Sequence, residues 1–119
     1  MDLASHQVVD VPVPGGPDAL VLATRAVPKP GHGEVLVRVH AAGVNAADIK
    51  QREGRYDMPA GAPSVPGLEI AGEVVGGAEG VQRSKAGDRV CALVIGGGYG
   101  EYCAVPEGQC LPIPGGLDM

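Results

Sequence analysis

From Glu34 to His40 apolar and polar side chains alternate, with Val35, Val37 and Val39 on one face and Glu34, Arg38 and His40 on the other. This period of two marks a strand with one buried side, and it places His40 toward solvent rather than toward a ligand. Upstream, Asp18–Thr24 reads as a second strand, entered through the turn Gly15-Gly16-Pro17-Asp18 and closed by the Gly- and Pro-marked loop Pro28–Gly33. Glu69–Val75, Asp88–Val94, Tyr99–Val105 and Cys110–Ile113 are further strands, the second of them entered through the turn Lys85–Asp88. A helical pattern occurs at Ala46–Glu53. Asn45 stands as its N-cap, Asp48 at the third helical position makes a capping-box variant, and Gly54 is a C′ stop. Short strands at short intervals around one short helix predict a mainly β fold, a partly open β-barrel. No internal repeat, linker or low-complexity tract interrupts it.

Composition sharpens this picture. The 119 residues suffice for one domain that buries very roughly 65% of its unfolded surface. There is no Phe and no Trp, so the core must be built from Val, Leu, Ile and Ala, while 20 Gly and 11 Pro supply tight turns. Nine basic against 14 acidic side chains leave a net charge of −5 with no basic cluster, which argues against nucleic acid and anionic membranes as partners. Met1–Gln7 has neither a basic start nor an apolar run, and no later run approaches the ~20 residues of a membrane span. A soluble, cytoplasmic protein is expected. Cys91, Cys103 and Cys110 lie within apolar strand patterns and are expected to be reduced, buried thiols.

Several chemistries are excluded by spacing. The run Gly96-Gly97-Gly98-Tyr99-Gly100 lacks the Gly-x-Gly-x-x-Gly spacing of a dinucleotide loop and is followed by a strand pattern, so it reads as a hairpin turn of φ > 0 residues. No Cys-x-x-Cys, His-x-x-x-His or Cys-His cluster provides metal ligands, and neither Ser-x-x-Lys nor Gly-x-Ser-x-Gly is present. Taken by themselves, Asn45 is chiefly a helix cap and Tyr56 a loop aromatic.

Five segments in order go further: Pro28–Asn45, Val65–Val74, Ala86–Val90, Ala104–Gly108 and Pro112–Leu117. Together they resemble the N-terminal GroES-like catalytic domain of the medium-chain dehydrogenase/reductase superfamily. Zinc enzymes of that superfamily carry a Cys ligand after a Gly-Val turn and a His in a Gly-His-Glu triplet. Here Asn45 follows Gly43-Val44, and the triplet reads Gly67-Leu68-Glu69. Glu69 alone cannot hold a catalytic zinc. The Asn in place of Cys resembles the zinc-free quinone oxidoreductases, and the stretch Asn45–Tyr56 looks most like the tumour-suppressor-inducible type.

That resemblance implies hydride transfer from NADPH to a quinone or activated enone. Asn45 and Tyr56 would face the nicotinamide and the acceptor, with the Tyr56 hydroxyl donating to the acceptor oxygen and the Asn45 amide orienting the carboxamide or acceptor. It also implies a Rossmann dinucleotide-binding domain that residues 1–119 do not contain, so the isolated chain is expected to be inactive and to self-associate as a homo-oligomer. Two other readings share the same domain: a freestanding GroES-like binding or assembly module, and an enoyl thioester reductase.

Overall fold

The computed structural model describes residues 4–119; Met1–Leu3, the start of the segment read above as lacking a leader, lie outside it. In chain order the strands are β1 (Ser5–Asp10), β2 (Val21–Ala26), β3 (Glu34–Ala42), β4 (Glu69–Gly77), β5 (Arg89–Leu93), β6 (Tyr102–Pro106) and β7 (Cys110–Pro112), with helix α1 (Ala46–Arg52) between β3 and β4. Five of them form an antiparallel sheet in the order β6-β3-β4-β5-β7, and β1 and β2 form a separate antiparallel pair. The two sheets are stitched together by residues 99–101: Val9 N–H donates to the Tyr99 carbonyl at 2.8 Å, and Val39 N–H to the Glu101 carbonyl at 2.8 Å. The mainly β, partly open barrel with one short helix is therefore present. No helix among the described residues is long and apolar enough to cross a membrane.

The core follows from the alternation. Val35 and Val37 of β3, Ile70 and Val74 of β4, Val90 and Ala92 of β5, and Cys103 and Val105 of β6 turn inward and form one buried cluster, with Val39 packed at its margin. In the absence of Phe and Trp these small side chains fill the space only if the strands approach closely. Gly72 on β4 permits this: a Cβ there would lie 2.2 Å from the Arg38 carbonyl oxygen. Register shifts in the β3–β4 pairing at Leu36/Val37 and Val39/Ala41 bend the sheet around the cluster. His40 is exposed, as its place in the alternation requires.

Four expectations need correction. Asp18–Thr24 does not form a strand from its start, because Pro17–Ala19 is a 3-10 turn in which Leu20 N–H returns to the Pro17 carbonyl, and β2 begins at Val21. Its partner β1 has no counterpart among the expected strands. The Gly96–Gly100 run does not make a hairpin: β5 and β6 are not neighbours, so it crosses the end of the sheet before β6 starts at Tyr102 rather than Tyr99. Positive φ is nonetheless used, at Gly97 (φ 87°). Of the three free thiols only Cys103 is buried, while Cys91 and Cys110 are half-buried near the sheet edge.

Candidate functional site

β3 ends at Ala42, and the chain then turns at Gly43, whose N–H donates to the Glu69 carbonyl at 3.1 Å. The turn carries Val44 outward and sets Asn45 in extended backbone (φ −125°, ψ 160°) as the N-cap of α1. The capping pattern holds as expected: the Asp48 carboxylate receives the Asn45 N–H at 2.8 Å, and Lys50 and Arg52 in the last turn face the negative end of the helix. Gly54 at φ 80° ends α1 in the left-handed conformation predicted for it.

The Asn45 side chain is not simply a cap. Its amide Nδ2 donates to Glu69 Oε1 at 3.1 Å, so the residue that opens α1 is tied to the first residue of β4. Two apolar grooves lie beside the neighbours of this link, one at Gly43 and Glu69 and the other at Val44, and neither is lined by Asn45 or Tyr56 themselves. One, of about 410 Å3, is lined by Ala42, Gly43, Glu69, Leu93 and Leu111. The other, of about 560 Å3, is lined by Leu20, Leu22, Val44 and Tyr99, among others.

Tyr56 lies beyond the helix stop and is half-buried. No hydrogen bond joins its hydroxyl to Asn45 or to any other group among the described residues. The tyrosine that does reach the helix is Tyr99, whose hydroxyl donates to Asp48 Oδ2 at 2.8 Å. On sequence grounds Tyr99 belongs to a turn and the start of a strand, and Asp48 is a cap; the structure adds that Asp48 is only 5% exposed. Burial first, and then the hydrogen bond to Asp48, holds the Tyr99 phenol well above its ordinary pKa, so it stays a donor. A tyrosine inside a run of glycines is the available signal, since the glycines leave an aromatic ring free to reach across a loop.

The Gly96–Gly98 backbone is unsuited to hold a diphosphate. A Cβ on Gly96 would lie 3.0 Å from Pro63, and one on Gly98 2.9 Å from Gly67, so the run is packed against another loop rather than open at a helix start. Among the described residues no group of three or more His, Cys, Asp or Glu side chains is arranged to hold a metal ion.

Comparison with known proteins gives the family of the domain. The rat synaptic vesicle membrane protein VAT-1 homolog is 44% identical over 102 residues, covering 84% of this chain and 25% of that protein. Rat quinone oxidoreductase is 38% identical over 107 residues, covering 88% of this chain and 32% of that protein. Among solved structures, the quinone oxidoreductase of Pseudomonas syringae pv. Tomato DC3000 superposes with a TM-score of 0.86 at 32% identity, over 95% of this chain and 35% of the other. The chain thus spans about a quarter to a third of the length of the relatives it matches. The alcohol dehydrogenase GroES-like domain matches residues 31–115, and the chain belongs to that family, within the medium-chain dehydrogenase/reductase superfamily.

Proposed function

We propose that this domain forms the acceptor side of an NAD(P)H-dependent reductase that delivers hydride to a quinone or activated enone without a catalytic zinc. The observation that carries this reading is the Asn45 amide. Glu69 takes one of its two hydrogens at 3.1 Å and fixes its plane, which leaves the second for a carbonyl oxygen. The similarity to quinone oxidoreductases supports the same class of acceptor.

NADPH, when bound, supplies the hydride. The residues present fit its nicotinamide end, where Asn45 can hold a carboxamide or the acceptor carbonyl; the packed Gly96–Gly98 run does not suit the diphosphate. The apolar wall that includes Val44 suits a flat, weakly polar ring. As hydride arrives, negative charge grows on the acceptor oxygen and needs a donor that is already in place. The Tyr56 hydroxyl has no partner among the described residues, so it is free to be that donor. Asn45 and Leu68 stand where the resembling zinc enzymes have sulfur and imidazole, and Glu69 is already committed to Asn45.

Titration of the 15N-labelled chain with a water-soluble naphthoquinone tests the acceptor site directly. Saturable shifts should centre on Asn45 and Tyr56; shifts confined to β7 and the C-terminal residues would dismiss the reading. In a reductase that carries this domain beside a dinucleotide-binding domain, Tyr56→Phe should lower kcat about 100- to 1,000-fold (about 2.7–4 kcal/mol) with NADPH affinity nearly unchanged.

A further inference from the structure

Asp48 is buried, yet its helix lies at the surface of the barrel, and one of its oxygens accounts for how the two are reconciled. Oδ2 receives both the Asn45 N–H at 2.8 Å and the Tyr99 hydroxyl at 2.8 Å. Oδ1 is closed off from solvent and has no partner among the described residues. The carboxyl group is thus held in place wholly from one side, by one backbone donor at the start of its own helix and one phenol from a distant loop.

The phenol is the firmer of the two anchors. Tyr99 N–H donates to the Pro66 carbonyl at 2.9 Å, and its own carbonyl receives Val9 N–H at 2.8 Å, so its backbone is fixed from two sides. The loop opposite is pressed against it: a Cβ on Gly67 would lie 2.6 Å from Tyr99 N. By contrast α1 has only seven residues, too few to be rigid on helix propensity alone, and its other ties, Gln51 to Ser64 and Arg52 to Gly15, lie in its last turn, away from the N-cap. Stiffness therefore passes from the sheet, through Tyr99 and Asp48, to the Asn45 N-cap, and from there to the amide that Glu69 orients.

We propose that Tyr99 is a positioning residue for the Asn45 side chain and acts through Asp48. The assignment of a catalytic consequence rests on the function proposed above; the positioning itself does not. Loss of the phenol hydrogen bond leaves the carboxylate with Asn45 N–H alone, and a buried, under-bonded carboxylate turns toward water and releases the cap. The Asn45 amide then loses its register with Glu69, although the Tyr99 ring and the glycine contacts around it are unchanged.

The test is side-chain amide exchange in this chain, followed by NMR. In Tyr99→Phe the hydrogen-bonded Asn45 Nδ2 proton should exchange with solvent about tenfold faster or more, and Asp48→Ala should do the same. Asp48→Asn keeps an oxygen that can accept both donors and should hold exchange near the original rate. The double substitution Tyr99→Phe with Asp48→Ala should be no worse than either alone, as expected for one pathway. Tyr99→Phe that lowers Tm while Asn45 exchange stays unchanged, or a double variant in which the two effects add, overturns the proposal. Should Tyr99→Phe fail to fold, sub-denaturing urea on the unmodified chain decides instead: the Asn45 and Asp48 backbone amides and the Tyr99 amide must lose protection together, and separate loss overturns it. If Asn45 exchange responds as expected but naphthoquinone shifts never reach Asn45, the positioning role stands and the acceptor-site reading falls.

Discussion

Gly43 and Glu69 compete for the same space: a methyl group on Gly43 would lie 2.0 Å from Glu69 Oε1 and 2.5 Å from its Cδ. The absence of a side chain at residue 43 is thus what lets the Glu69 carboxylate reach Asn45. Gly43→Ala should swing Glu69 away, since its side chain is flexible, and break the Asn45–Glu69 bond. The stability cost should be small, about 1 kcal/mol or less, because only one exposed hydrogen bond is lost. A crystal structure of the variant checks this; a Glu69 carboxylate still within hydrogen-bonding distance of Asn45 Nδ2 would contradict it.

Gly72 presents the opposite case. There the group in the way is the Arg38 carbonyl, 2.2 Å from where a methyl group would sit, and backbone inside a paired strand cannot swing aside. Gly72→Ala should part β3 from β4 over the core and cost about 3 kcal/mol, or roughly 10 °C in Tm. Gly76, on the same strand, has nothing within 4 Å of such a position and no positive φ. Gly76→Ala should change stability by less than about 0.5 kcal/mol, and equal losses from the two substitutions in urea unfolding would refute the packing argument.

How far the fold can be read from the chain depends on what each strand turns inward. β3 and β4 bury Val35, Val37, Ile70 and Val74, and their alternation is visible. β1 buries His6, Val8 and Asp10, and two of those three are polar, so no apolar period betrays it. Those polar groups are satisfied by partners far along the chain, His6 Nδ1 by Tyr102 N–H and Asp10 by Arg25. The site shows the same division. Asn45, Asp48 and Gly54 are legible because capping is local. Tyr99 is not, because its bond to Asp48 spans 51 residues and leaves no spacing rule in the sequence.

The His6 imidazole should make stability fall in mild acid. Burial lowers its pKa below 6.5, against a smaller opposing influence from Glu101, and its Nδ1 accepts Tyr102 N–H at 3.1 Å. A folded-state pKa below the unfolded one means that the unfolded chain binds the proton more readily, so stability is full above pH 6.5 and declines as pH falls below it. His6→Asn places an amide oxygen near the position of Nδ1 and carries no titrating group. Its urea midpoint should stay flat between pH 7.5 and about 5.5, where that of the parent declines; parallel curves would assign the decline to other groups.

Glu107 should govern a second, more acidic window. Its carboxylate accepts three successive backbone N–H groups, from Gln82 at 3.0 Å, Arg83 at 2.7 Å and Ser84 at 2.6 Å, and these bonds pull its pKa from 4.5 to about 2. The shift is downward, so the carboxylate stabilises the fold above pH 4.5, and that contribution drains away as pH falls from 4.5 through about 2. Glu107→Gln leaves a single neutral acceptor oxygen for the three donors. The variant should unfold at lower urea than the parent at pH 7, with faster amide exchange at Arg83 and Ser84, and the gap should close as pH approaches 2. Because the group is only half-buried, at the surface, added salt should narrow the gap at pH 7 as well. A gap that persists unchanged at pH 2 would show that the side chain acts by its shape and not by its charge.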